Sequence, residues 1–476
     1  LNPTATSATV TPAVVTQGLS YTFDVTGSNF ASGASVRLSG AQSGAVQFIS
    51  NTELKVSAKV QSAGMLALSV INPDPFGPTN ALSIRSQPSA PATSSAIAVV
   101  VGRVGTDSGG QPILATKAYV PLSNSLAVVN VEASRQYASV VLPTGFVPSF
   151  VAANPAQHQV VVASAASTTL QLVDSDRDLV AQSWSVPVSG TATVDGATCT
   201  ICGILVDSAR NRAILATAAG YLTLNLSDGT STAPVAAPLA ANFAYDGNTQ
   251  RIYAPFADAN GSGVNVLDLG AGTVAAAQPA AGVLFGTGTD SATFDSATGI
   301  LTVGDKDSGT FLSLNFNNAQ TVAGAEQVPA APFAVTSGCS GAWKGLDLDF
   351  TNHLGWFANL GACVAVASLP ANAPNGPPGA PATLRWARLP AGPDGLAWAN
   401  TPLGQPQTLA VATAADGKAY GLALRQDQAM LLKMDLALLQ QASPVAGGAD
   451  ANQVDPANVE VNALTVSALT YIPLHQ

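Results

Sequence analysis

Cysteine, histidine, aspartate and tryptophan are the residues of this chain that could do chemistry, and their spacing limits what that chemistry can be. Four cysteines, Cys199, Cys202, Cys339 and Cys363, could serve disulfides, a metal or a redox pair. A metal needs ligands converging at about 2 Å, and the three histidines, His158, His353 and His475, fall in no shared loop cluster, so turn-filling is their expected role and no metal is expected. Asp174-Ser-Asp-Arg-Asp178 spaces its carboxylates like the start of a calcium loop, but it lacks the downstream Gly and bidentate Glu of such a loop. Asp258, Asp305, Asp307 and Asp427 read first as solvated loop carboxylates, with a cation or ligand site as the second reading. Trp343, Trp356, Trp386 and Trp398 gather around the segment Pro374-Asn-Gly-Pro-Pro-Gly-Ala-Pro. Such rings stack on sugars or anchor a protein partner, so with Asp305 and Asp307 they are the candidate ligand-binding residues; packing between sheets is the competing role.

These residues are carried by a repeat. Asp246-Gly-Asn-Thr-Gln-Arg-Ile-Tyr-Ala followed by Val264-Asn-Val-Leu-Asp-Leu has variants beginning at Asn154, Asp207, Asp295, Asp349 and Asp416, with a further strand half at Leu126-Ala-Val-Val-Asn-Val. Each unit reads as strand, polar turn, strand, short loop, strand. Asp or Asn at the turn can bond its own backbone, while alternating apolar residues give each strand one buried face. A lone sheet of this size cannot cover that face, so seven copies at a period of about 40 to 55 residues imply radial stacking into a β-propeller. The pattern resembles the YVTN-type bacterial propellers, with an Asp turn before one strand and an apolar strand ending in Asp after it, over residues 97–476.

On that layout all four cysteines reach one face. Cys339 and Cys363 belong to one unit and are expected to pair, leaving Cys199-Thr-Ile-Cys202 to close its own small loop. The innermost strands read Ser149-Phe-Val-Ala, Gly203-Ile-Leu-Val, Asn242-Phe-Ala-Tyr, Ser291-Ala-Thr-Phe, Gly345-Leu-Asp-Leu and Leu409-Ala-Val-Ala, in which Asp347 is the one ionisable group. Without a second carboxylate, a His or a metal shell there is no general acid/base team. The chain also lacks G-x-S-x-G, H-E-x-x-H and P-loop motifs. No catalytic residue and no cofactor are expected; a lactonase-like propeller hydrolase is the enzyme alternative.

Residues 1–86 are a separate module. Tyr21-Thr-Phe-Asp-Val-Thr-Gly, Glu53-Leu-Lys-Val-Ser-Ala-Lys-Val and Met65-Leu-Ala-Leu-Ser-Val-Ile are short alternating strands at sandwich spacing. Val10-Thr-Pro, Gly27-Ser-Asn-Phe30, Gly33-Ala-Ser-Val, Asn51-Thr-Glu-Leu and Val70-Ile-Asn-Pro together resemble an IPT/TIG domain of the immunoglobulin class. That resemblance implies that Phe30 plugs the core while Gly27 and Asn29 shape the turn before it. Residues 87–96, rich in Pro, Ser and Ala, read as a linker. The expected fold is all-β: an immunoglobulin-like β-sandwich followed by a seven-bladed β-propeller. Ala98 to Val104 is expected as a strand ahead of the first complete blade, and Val459 to Leu474 as one or two strands after the last.

With 18 Lys and Arg scattered among 28 Asp and Glu, no basic patch is available to release counterions from phosphates, so nucleic acid is excluded as a partner. No apolar run approaches the ~20 residues of a membrane-spanning helix. The chain opens on Leu1 rather than Met, which we read as a mature form whose signal peptide was removed, placing it outside the cell or on its surface. The expected function is an exported, non-catalytic surface interaction or scaffold protein, possible as a homopolymer of an extracellular filament. The alternative is a monomeric adhesin for a glycan or protein surface. Only six residues are expected before the first strand, so folded surfaces rather than a donated strand would join copies.

Overall fold

The computed structural model describes residues 2–87 and 97–275 apart from short gaps, and from 289 to 465 chiefly the strands. The chain is all-β, as expected, with a single α-helix, Leu436–Gln441, among the described residues. Its small antiparallel sheets are consistent with a β-propeller-like fold. Residues 88–96, nearly all of the expected linker, lie outside the described residues.

Between Thr4 and Gln87 the strands form two four-stranded sheets. Thr4–Val10, Ser20–Ser28, Glu53–Val60 and Ala41–Ser50 make one, in that order; Val15–Thr16, Leu82–Gln87, Gly64–Ile71 and Ser35–Leu38 make the other. Period-two alternation sends Phe23, Val25, Leu54 and Val56 from the first sheet and Val36, Leu38, Leu66 and Leu68 from the second into one shared core. Each such side chain contributes about 1.5–3 kcal/mol when fully buried. The Gly27-Ser-Asn-Phe30 turn is built as its residues suggest. Phe30 is buried and Asn29 takes a left-handed φ of 60°. A Cβ on Gly27 would run into the Thr4 carbonyl oxygen and the Phe30 ring. Asn72, itself buried, fastens this turn: its Nδ2 donates to the Asn29 carbonyl at 2.7 Å and its Oδ1 accepts from the Ala31 amide at 3.0 Å. The first strand starts at Thr4, so three residues precede it rather than six.

From residue 98 on, seven sheets of three to five strands follow one another, with a two-stranded hairpin, Ala192–Val194 and Ala197–Cys199, between the second and third. Their first strands are Ala98–Thr106, Phe150–Asn154, Ile201–Asp207, Ala244–Asp246, Thr289–Asp295, Trp343–Asp349 and Thr408–Thr413. Neighbouring sheets share apolar cores. Tyr119 and Val128 of the first pack with Val160 and Val162 of the second, Leu170 and Leu172 of the second with Leu215 and Leu222 of the third, and Tyr253 of the fourth with Phe294 and Phe316 of the fifth. The first strand of the fifth sheet lies beside that of the sixth, and that of the sixth beside Thr408–Thr413. Thr408–Thr413 lies in turn beside Ala98–Thr106, and Tyr420, Leu422 and Leu431 of the seventh sheet share a core with Ala118, Val120 and Val129 of the first.

One expectation needs correcting here. Ala98–Thr106 does not precede the first sheet; it pairs antiparallel with Pro112–Pro121 and is that sheet's own first strand, Val100 lying opposite Lys117. The first strands of the sheets therefore carry Arg103, and Lys344 and Asp349 of Trp343–Asp349, besides Asp347. Of Val459 to Leu474, Val461–Thr465 is the fourth strand of the seventh sheet, paired with Met430–Asp435. The fifth turn residue of the repeat has a shared conformation: His158, Asn211, Gln250 and Gly299 all have φ between 50° and 71°. The left-handed region is open to Gly and visited by Asn and His more readily than by most residues, while Gln250 adopts it without that preference.

Candidate functional site

The sequence-predicted ligand residues divide between two sheets. Trp343 opens Trp343–Asp349, Trp356 lies in Leu354–Asn359 and Trp386 in Leu384–Arg388, all strands of the sixth sheet. In its register Trp356 stands opposite Asp347 and Val366, and Trp386 opposite Ala365. Asp305 closes Ile300–Asp305 of the fifth sheet, opposite Thr310, and Asp258 closes Arg251–Asp258 of the fourth. Trp398, Asp307, Asp427, His353, His475, Cys339 and the Pro374 segment lie outside the described residues, and with them the expected Cys339–Cys363 pairing. Cys363 begins the strand Cys363–Ser368.

Cys199 and Cys202 form the expected disulfide. Cys202 lies within the first strand of the third sheet rather than ahead of it. Both cysteines are buried in the core between the third and fourth sheets, against Ile214 and Phe243. The ring it closes is short, so the entropy it removes from the unfolded chain is worth only about 2 kcal/mol. Replacing both cysteines with Ala is expected to lower stability by about that much and to leave the fold intact, as urea titration followed by fluorescence would show.

The acidic residues of the turns are engaged by the protein itself. Asp174 Oδ1 accepts from the amides of Asp176 and Arg177 at 2.8 and 3.1 Å, and Asp176 Oδ1 accepts from the Arg103 amide at 3.0 Å. The three carboxylates of Asp174 to Asp178 are thus turned to separate donors. His158 sits in its turn, with Nδ1 3.5 Å from Asp176 and nearly half its side chain exposed. Among the described residues no three His, Cys, Asp or Glu side chains group to hold a metal ion, and no helix is long and apolar enough to cross a membrane.

Two polar clusters bridge neighbouring sheets. In the first, Asp207, Arg210 and Arg212 of the third sheet meet Tyr245, Gly247 and Gln250 of the fourth. Tyr245 donates to Asp207 Oδ2 at 2.9 Å, Arg212 donates to Tyr245 and Gln250 at 2.7 and 2.8 Å, and Arg210 donates to the Gly247 carbonyl at 2.6 Å. Burial opposes the charge on Asp207, but hydrogen bonds from Tyr245 and Arg210 and the nearby Arg212 outweigh it and hold the carboxyl below its usual value of 3.8. Tyr245 is pushed up to about 12, by burial first and then by its bond to Asp207. A carboxyl lowered by folding stabilises fully above its unfolded value and loses that contribution as pH falls through the folded one. Asp207→Asn is therefore expected to be less stable than the parent at pH 6, with the difference shrinking below about pH 3.8; thermal melts across that range would measure it.

The second cluster joins the first two sheets. Lys117, from Pro112–Pro121, is completely buried, and Asp178, in the turn after Thr169–Asp174, is nearly so. Lys117 Nζ donates to Asp178 Oδ2 at 2.8 Å and to the Ser175 carbonyl. Tyr119 donates to Asp178 Oδ1 at 2.6 Å and Tyr137 donates to Oδ2. Asp178 is held at this point by a left-handed φ of 53°. Burial lowers the Lys117 pKa against the opposing pull of Asp178 and raises those of both tyrosines, the Asp178 charge adding to the rise. An amine and a carboxyl thus lie in bonding contact away from water, with two phenols on the carboxyl oxygens. Sequence reasoning missed this cluster; its one signal was a lone Lys inside the apolar run Ile113-Leu-Ala-Thr-Lys-Ala-Tyr-Val.

A further feature lies in the sheets of residues 4–87. In the four-stranded sheet headed by Thr4–Val10, the charged residues Asp24, Glu53, Lys55 and Lys59 all sit on the two inner strands, and Asp24 and Lys55 pair across them at 3.5 Å. The outer strands Thr4–Val10 and Ala41–Ser50 contain no charged residue and no proline. No residue of Ala41–Ser50 is buried, and Phe48 and Ile49 are 39% and 42% exposed. Outer strands are ordinarily guarded by charge or proline against pairing with other chains.

No family model and no curated protein matches the chain. Among solved structures it is similar to the β-propeller domain of Cps50 (Swd1) from Myceliophteria thermophila, with 7% identity and a TM-score of 0.44 over 66% of this chain and 91% of that one.

Proposed function

We propose that this is an exported, non-catalytic scaffold protein whose copies join to one another, built as an IPT/TIG-like sandwich followed by a seven-bladed propeller. The fold reading is supported by the Gly27 to Phe30 turn, by the Asp turns repeated at sheet after sheet, and by the contact of the seventh sheet with the first. The observation that carries the function is the outer strand Ala41–Ser50, which has no charge and no proline and whose register against Glu53–Val60 shifts at Ser43/Val46 and Phe48/Ser50. As the last strand of its sheet it offers a backbone ladder to another strand, and the exposed Phe48 and Ile49 offer apolar contact beside it. A second copy suits that edge: every copy carries a net charge of -10, and an interface with no ionisable side chain brings no like charges together. Pairing Ala41–Ser50 of one copy with Thr4–Val10 of the next is a head-to-tail contact, which extends into a filament unless its rotation closes.

The test is sedimentation velocity over a concentration series, with electron microscopy of the same samples. Concentration-dependent assemblies are expected for the parent and their loss in Phe48→Glu/Ile49→Lys, whose circular dichroism should match the parent. A parent that stays monomeric at every concentration, or assemblies indifferent to the substitutions, would overturn the reading.

A further inference from the structure

We propose that Lys117 and Asp178 condense after folding into an amide that covalently joins the first and second sheets. The two groups already stand where the reaction would start, with Nζ 2.8 Å from Oδ2. Fixing two reactants in contact removes most of the entropic barrier to their union. Lys117 is wholly buried and Asp178 7% exposed, and a charged pair in such a place is held against the cost of desolvating both ions. One proton passing along the hydrogen bond converts ammonium and carboxylate into a neutral amine and a carboxylic acid. The amine is then a nucleophile, as lysines become when desolvated.

The remaining donors are placed for the next steps. Nζ adds to the Asp178 carboxyl carbon, and the negative charge that develops on Oδ1 is met by the Tyr119 hydroxyl, already 2.6 Å away. Oδ2, which has taken the first lysine proton and accepts from Tyr137, leaves with a second lysine proton as water. The third proton stays on the new amide nitrogen, which keeps its bond to the Ser175 carbonyl. One C–N bond forms, one C–O bond breaks, and one water is released; no oxidant, cofactor or other reactant is needed. Ser175 is itself buried, and its carbonyl passes so close to Gly102 that any Cβ there would collide with it, so the turn carrying Asp178 is pressed onto the first sheet.

Mass spectrometry of the intact, unfolded parent protein tests this directly. The expected mass, after reduction, is the chain mass less one water. Trypsin should fail to cut after Lys117 and should yield a branched peptide in which residues 104–135 are joined to 178–210. Lys117→Arg and Asp178→Ala should each restore the full mass. Tyr119→Phe should slow the condensation by about a hundredfold, the usual loss for one oxyanion donor, and so leave an unlinked fraction in freshly made protein. A folded parent with the full chain mass would overturn the proposal and leave an ion pair only. So would a loss of water without the branched peptide, which would place the dehydration elsewhere.

Discussion

Asp178→Ala is expected to destabilise the protein by about 3–5 kcal/mol, the cost of leaving a buried charge without its partner. The substitution strands Lys117, which has no exposure at all, and takes the acceptor from Tyr119 and Tyr137 together. Lys117→Met paired with Asp178→Leu removes the stranded charge as well, so it should recover the part of the loss that comes from desolvating an unpaired ammonium, and not the part that comes from losing the amide between the two sheets. Urea titrations of the parent, the single variant and the double variant would measure both effects. A single variant as stable as the parent would mean that water reaches Lys117 once the carboxylate is gone.

Gly220→Ala is expected to be the most damaging conservative change in the third sheet. Gly220 has φ 119°, a conformation nearly closed to other residues, and its Cβ would press into the Val235 carbonyl and the Ala236 backbone. Those atoms cannot move away, because Tyr221 and Val235 exchange backbone hydrogen bonds at 2.9 and 2.7 Å and so add the sheet's outermost segment. Strain of about 1–3 kcal/mol and overpacking of about 1–3 kcal/mol should add. Gly145→Ala separates the two: it has φ 82° with open space around the Cβ position, so only the conformational part should appear in its melting temperature.

The parts of this fold that a reader of the sequence can see are those governed by neighbours in the chain. Alternation within Glu53–Val60, and an Asp that bonds the amides two and three residues ahead, are local facts; Asp246 does so to Asn248 and Thr249 at 2.9 and 3.3 Å. The disulfide between Cys199 and Cys202 is local too. Lys117 and Asp178 are 61 residues apart and meet only because one sheet's turn reaches over the next sheet, which no periodicity encodes. The helix Leu436–Gln441 was overlooked for another reason: it directly continues an apolar strand, and its only mark is Asp435, whose side chain accepts from the Leu438 amide at 3.1 Å. Of the residues offered as a binding site, Asp305 is carried by the fifth sheet and Trp343, Trp356 and Trp386 by the sixth, while Trp398 and Asp307 and most of the loops that would bring them together lie outside the described residues.

Among the described residues, every strand of the first sheet comes from 98–141 and the seventh sheet ends with its own Val461–Thr465, so neither sheet takes a strand from the other's end of the chain. The join between first and last sheets is instead made by side chains such as Tyr420, Leu422 and Leu431 against Ala118 and Val120, with Lys433 Nζ donating to the Val131 carbonyl at 3.0 Å. A pull between the two ends of residues 98–465 would load this join across its face, where apolar contacts yield one after another, and not along a hydrogen-bonded ladder that must shear as a unit. The first and seventh sheets would therefore part from each other first, at low force, while each kept its own strands.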